Sequence, residues 1–140
     1  MPLGGLRLKK RYVLDAGILA LYFAGSKKAK EYIDAVYEER IKAFMCEVNV
    51  AEFLYNYAKV FGWKAALVKH SLLHNSPIRI VGINESLTVE AARLKLKYYK
   101  RLSLADCYLI ALAKQREAEI ITTDADVKEV SEVPTVLLSI

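Results

Sequence analysis

The chain has 140 residues, 54% of them hydrophobic, which is enough for one domain with a sizeable core and too short for two ordinary ones. Its net charge of +5, from 21 Lys and Arg against 16 Asp and Glu, favours an anionic partner such as nucleic acid without demanding one. Two cysteines, Cys46 and Cys107, lie far apart in apolar settings; they exclude a disulfide scaffold and zinc-ligand spacing, and read as small core residues in a reducing compartment.

The first stretch has some signal-peptide character, since Arg7 to Arg11 is basic and Tyr12 to Ala24 mostly apolar. Asp15 interrupts it. The run from Ala16 to Ala24 also falls well short of the roughly 20 residues of a membrane span. The expectation is a soluble cytoplasmic protein with no membrane association.

Tyr12 to Leu14 read as a short strand ending at Asp15, broken by Gly17 before a helical run, Ile18 to Phe23. Asp15 either caps that helix or stands at a strand's carboxyl end, where open α/β sheets bind ligands. Ser26 can cap a helix over Lys27 to Arg40. Ile41 to Cys46 follows as a strand, and Glu47 to Phe61 as a helix closed by Gly62. Within that helix, Glu52 shares a mixed face with Asn49 and Asn56. Trp63 to Asn75 is another amphipathic helix, whose His70 and His74 have metal-binding spacing but lack the Glu of the zinc-protease pattern.

Pro77 to Ile83 is expected to be a third strand, and Asn84 or Ser86 to open a helix reaching Arg101. Its last turns interleave Lys95, Lys97, Lys100 and Arg101 with Tyr98 and Tyr99. That mixture suits a phosphate backbone with stacked bases, although a solvated helix end whose cations complement the dipole accounts for it slightly better. Leu104 to Ala113 is apolar except at Asp106, which describes a helix buried on most of its circumference. Ile120 to Thr123 then read as a buried strand ending on Asp124 and Asp126, and Thr135 to Ser139 as a last strand. Alternating strands and helices imply an α/β fold, a parallel sheet of about five strands with helices on both faces, in a single domain over 1–140.

Acidic residues thus accumulate at Asp15, Glu52, Asp106, Asp124 and Asp126. Each has a local explanation; Ser103 to Asp106 fits a capping box. Together they suggest a divalent cation, because two like charges about 4 Å apart repel by roughly 4 kcal/mol at an effective dielectric of 20. One geometric expectation opposes convergence: the helix carrying Asp106, as the crossover into its following strand, is expected to begin at the sheet edge opposite the strand ends.

These segments resemble the PIN-domain family of metal-dependent nucleases, most closely the VapC-type toxins. The matching positions are Asp15 in YVLDAG, Glu52 in VNVAEFLYNY, Asp106 in LSLADCYLIALA and Asp124 in IITTDAD, with Asp126 as a frequent additional acid. The resemblance implies a PIN-like three-layer α/β/α fold and acids gathered on one or two Mg²⁺ or Mn²⁺ ions. It also implies cleavage of single-stranded RNA, a cognate antitoxin, and a homodimer, to which the tyrosine-rich helices around Tyr32 to Tyr37 and Tyr55 to Phe61 lend apolar surface. The chain departs from the family at Gly17, where Ser or Thr is usual, and at Val127, where Phe is common. Gly17 supports an alternative, a PIN-type RNA-binding or scaffold module without catalysis. An aspartate-phosphorylating domain fits less well, since Gly17 stands where a second Asp is wanted and no late strand-end Lys is found.

Overall fold

A computed structural model describes residues 8–139, so the start of the basic stretch at Arg7 lies outside the described residues. Five parallel strands form one sheet in the order β3-β2-β1-β4-β5. They are β1 (Lys10–Leu14), β2 (Ile41–Cys46), β3 (Arg79–Val81), β4 (Glu119–Thr122) and β5 (Thr135–Leu137). The chain winds outward from β1 to β3, then returns to lay β4 against the other side of β1. The order therefore reverses between β1 and β4, and such a switch point opens a crevice outside the carboxyl ends of the two strands.

The period of two along each strand sorts the core into two layers. Val13, Phe44, Cys46 and Ile120 enter one face, covered by α5 (Glu85–Lys97), α6 (Leu104–Arg116) and α7 (Ala125–Val130). Tyr12, Leu14, Met45 and Ile121 enter the other, against α1 (Ala16–Phe23), α2 (Lys27–Tyr37) and α3 (Glu47–Phe61). From α4 (Trp63–His74), Leu73 joins that second layer. The expected three-layer α/β/α architecture is the one observed.

Differences from the sequence expectations have local causes. Gly17 does not break the chain but sits in α1, which begins one residue after Asp15 because the Asp15 side chain caps it. The third strand keeps only Arg79–Val81 of the expected Pro77 to Ile83. α5 stops at Lys97 instead of Arg101, and α2 stops at Tyr37, before Glu39 turns to φ 60. The short helix α7 is an addition to the expected elements; it is capped by Asp124, whose Oδ1 accepts from the amides of Asp126 and Val127. Asp126 accordingly belongs to a helix and not to a strand end. Val127 is buried in the α5–α7 core layer, a position of packing alone.

The expected obstacle to convergence at Asp106 is also corrected. A crossover helix runs antiparallel to the strand it feeds, so it starts at the carboxyl edge and finishes at the amino edge. α6 does this: its last residue, Arg116, accepts a hydrogen bond from Arg11 near the start of β1 (3.1 Å). Its first turn therefore lies at the edge where β1 and β4 end.

Candidate active site

Asp15 is the centre of the switch-point crevice. It continues β1 by donating its amide to the Ile121 carbonyl at 3.2 Å, and only 7% of it is exposed. Its Oδ1 accepts the Ile18 amide at 3.1 Å, which caps α1. Its Oδ2 accepts the Thr122 hydroxyl and, at 3.2 Å, the Thr123 amide, both from the end of β4. Thr122 is fully buried and also receives the Asp124 amide on its hydroxyl at 3.0 Å. One threonine thus ties the first acid to the last. Burial pushes the Asp15 carboxyl up, against the hydrogen bonds from Thr122, Thr123 and Ile18, which hold it down.

Glu52 comes from the first half of α3 and is half-buried. Its carboxyl is raised first by burial and then by the charges of Asp106, Asp15 and Asp124, three acids delivered by other elements. Asp106 is raised by burial and by Asp124 and Asp15, while the Ser103 amide holds it down. Electrostatically, then, Glu52 of α3 and Asp106 of α6 both feel the charges of Asp15 and Asp124 at the ends of β1 and β4.

The capping box of α6 is real. Ser103 accepts the Asp106 amide and donates its own amide to Asp106 Oδ2, each at 3.1 Å. Asp124 likewise caps α7 through Oδ1, and Asp126 faces away to pair with Arg101 at 2.9 Å. With these acids turned onto their own backbones or onto a cation, no three acidic or histidine side chains among the described residues stand at ligand spacing. The structure gathers Asp15, Glu52, Asp106 and Asp124 and leaves Asp126 at the rim.

Three residues of this region have partners that the sequence does not reveal. Asn49, 1% exposed, donates to the Ala105 carbonyl at 3.2 Å and so pins α3 to the start of α6, next to Glu52. Its Oδ1 is buried and finds no donor in the protein. Thr122 and Thr123 complete the set. The only available signal was weak: Asn49 lies three residues before Glu52, on the same helix face. The bonds themselves join residues 56, 107 and 108 positions apart.

Gly17 leaves a space that Thr123 fills. A Cβ at residue 17 would overlap the Thr123 hydroxyl and press on its Cγ2 and Cβ at 3.1 and 3.2 Å. Thr123, directly after β4, thus occupies the volume that a side chain at residue 17 would need.

The basic and aromatic turns after α5 are largely spoken for. Lys95 donates to the Tyr99 and Leu102 carbonyls (3.0 and 2.6 Å), and Lys97 and the Tyr98 hydroxyl both bind Glu132. Arg101 pairs with Asp126 and Glu129 (2.9 and 2.6 Å). Lys100 lies 5.7 Å over the Tyr99 ring. Most of this cluster ties the end of α5 and the turn after it to α7 and to Glu132 beyond it.

A PIN-domain family model matches residues 12–133, from within β1 to just before β5. The chain belongs to the PIN-domain family. No curated protein sequence matches it. Among solved structures, this PIN domain is similar to a toxin–antitoxin complex from Klebsiella pneumoniae, at 21% identity and TM-score 0.68, covering 92% of this chain and 99% of that one. FitAcB from Neisseria gonorrhoeae matches at 21% identity and TM-score 0.69, with 89% and 96% covered. VapC20 of Mycobacterium tuberculosis, a toxin that cleaves the sarcin–ricin loop, matches at 14% identity and TM-score 0.68, with 89% and 97% covered. These likenesses establish a common fold.

Proposed function

We propose that the protein is a divalent-metal-dependent endoribonuclease that cuts single-stranded RNA, acting as the toxin of a toxin–antitoxin pair. The observation that carries the reading is the meeting of Asp15, Glu52, Asp106 and Asp124 at the switch point, where each acid feels or adds to the charge of the others. Such a donor set fits Mg²⁺ or Mn²⁺, because hard cations take carboxylate oxygens and relieve the mutual repulsion. The buried, unpartnered Asn49 Oδ1 beside Glu52 fits as well, as an acceptor available to an ordered metal water.

Asp15, Glu52, Asp106 and Asp124 would hold the ion, with Asp126 at the rim once released from Arg101. When bound, the ion supplies a water of lowered pKa and charge stabilisation for a pentavalent phosphate. Thr122 and the Thr123 amide keep Asp15 in one rotamer, and Asn49 sets the spacing of α3 against α6. Asp15, only 7% exposed, lies in a lower local dielectric than water, which strengthens its charge interactions.

Two partners accompany this reading. The similar structure from Klebsiella pneumoniae is a toxin–antitoxin complex, which supports a cognate antitoxin here. A homodimer is supported by the apolar surface of α3 and α4, where Tyr55, Val60, Phe61, Trp63, Val68 and Leu72 are each more than half exposed. Tyr32, by contrast, packs edge-on against Tyr12 (5.6 Å) and contributes little to that surface.

RNA cleavage tests the reading. Purified protein is expected to cut single-stranded RNA with Mg²⁺ or Mn²⁺ and to stop on addition of EDTA. Asp15→Asn should reduce the rate by several orders of magnitude. Undiminished cutting in EDTA would overturn the mechanism, and folded wild type that binds RNA with Mn²⁺ without cutting it would favour the non-catalytic module.

A further inference from the structure

The cations near the carboxylates are mostly paired, whereas a second set at the other end of the sheet is not. Arg11 and Lys42 are register partners on β1 and β2. They share a face with Val13 and Phe44, two residues further on, which enter the core beneath α6. Arg79 pairs in register with Phe44. α6 ends over the same spot, where the Arg116 guanidinium lies 5.1 Å above the Phe44 ring. Arg116 also accepts the Arg11 hydrogen bond on its carbonyl, and its Nε is buried without a partner. With Lys9 these residues line a cleft of about 360 Å³ whose only acidic wall residue is Glu39.

None of the five cations joins an ion pair among the described residues. Five cations less one carboxylate leave a local charge of +4, most of the whole protein's +5. Like charges side by side in a sheet destabilise it. The fold tolerates that cost at the amino edge, while on β1 itself Lys10 is neutralised by Glu119 at 3.2 Å.

We propose that this cleft is a second nucleic-acid site, gripping phosphates of the single-stranded RNA at a distance from the carboxylates. It rests on RNA being the substrate. Three guanidinium groups offer bidentate bonds to phosphate oxygens and flat faces on which bases stack. An acidic peptide would use the first property only. The cleft is roughly the length of β1 away from Asp15, about 15 Å at 3.3 Å per residue, so one strand longer than the cut segment can occupy both places.

The test is binding of a labelled single-stranded oligoribonucleotide to the full chain in EDTA, by fluorescence anisotropy over a range of salt. The double variant Lys42→Ala/Arg79→Ala is compared with Lys28→Ala/Lys64→Ala, which removes the same charge from exposed positions outside the cleft. The cleft variant should bind at least about tenfold more weakly, with its salt slope reduced by roughly 1.4, about 0.7 for each phosphate that is no longer neutralised. The control should change less than about threefold. Equal weakening by both pairs, or by neither, overturns the site. So does inorganic triphosphate or poly-glutamate that binds the cleft more tightly than RNA does. Thermal melts check folding, and Lys42→Gln/Arg79→Gln replaces the alanine pair if that pair melts early. Since nothing is cut in EDTA, the outcome stands apart from the nuclease reading: a chain that cuts RNA but binds it unchanged in the cleft variant loses this inference alone.

Discussion

Asp106 is the residue on which a local role and a functional role diverge in the sequence, and its geometry leaves room for both. Its capping-box bond uses Oδ2 and the amide of Ser103, while its charge is felt by Glu52. Asp15 does the same, capping α1 while anchoring β4. A cap leaves part of a carboxylate's lone-pair capacity unused, so the two roles do not exclude each other. The acids were legible because strand ends and helix starts announce themselves locally. Asn49, Thr122 and Thr123 were not, because their value comes from partners far along the chain. Gly17 gives a test at this scale. Gly17→Ser should destabilise the protein by about 1–3 kcal/mol through overpacking against Thr123, and Thr123→Ala should relieve most of that cost in the double variant. Denaturant melts of the four proteins measure the coupling; additive effects would mean that Thr123 does not fill the Gly17 space.

At the scale of elements, the sequence located every strand and all helices but α7, whose six residues are too few to display a helical period. The basic stretch at the end of α5, which the sequence left open between two readings, is shaped by partners far along the chain. Lys97 and Tyr98 there, with Lys114 of α6, converge on Glu132, the residue that follows α7 by two. Hydrogen bonds from Lys114, Lys97 and Tyr98 lower the Glu132 carboxyl to about 2. Its folded value lies below its ordinary value of 4.5. The stabilisation is therefore fully present above pH 4.5 and is lost as pH falls towards 2. Glu132→Gln is expected to destabilise by about 1–3 kcal/mol at neutral pH, with the gap to wild type closing between pH 4.5 and 2. A gap that stays constant across that range would show that Glu132 acts through packing and not through its charge.

The whole molecule has a polarity that no single segment displays. Acids collect at the carboxyl edge of the sheet and unpaired cations at the amino edge, because parallel strands bring all their starts to one end and all their finishes to the other. Alternation of elements in the sequence implied the parallel sheet, but not the order β3-β2-β1-β4-β5 that makes β1 and β4 neighbours and Asp15 and Asp124 co-residents. The apolar surface of α3 and α4 is a further property at this scale. Light scattering at micromolar concentration should report a dimer, and Phe61→Asp should shift it to monomer without lowering the melting temperature of the fold; a monomeric wild type would contradict the dimer. Whether the four gathered carboxylates hold a divalent ion is decided by the melting temperature of wild type and Asp106→Asn with and without Mg²⁺. Without metal, Asp106→Asn should be at least as stable as wild type, since the loss of one charge from a repulsive cluster offsets a cap worth about 1 kcal/mol. At about 100 times its Kd, Mg²⁺ should stabilise the wild type by about 2.7 kcal/mol, several degrees in melting temperature, and shift the variant far less. Equal Mg²⁺ shifts in the two proteins would mean that Asp106 caps its helix and nothing more, and would contradict the metal site.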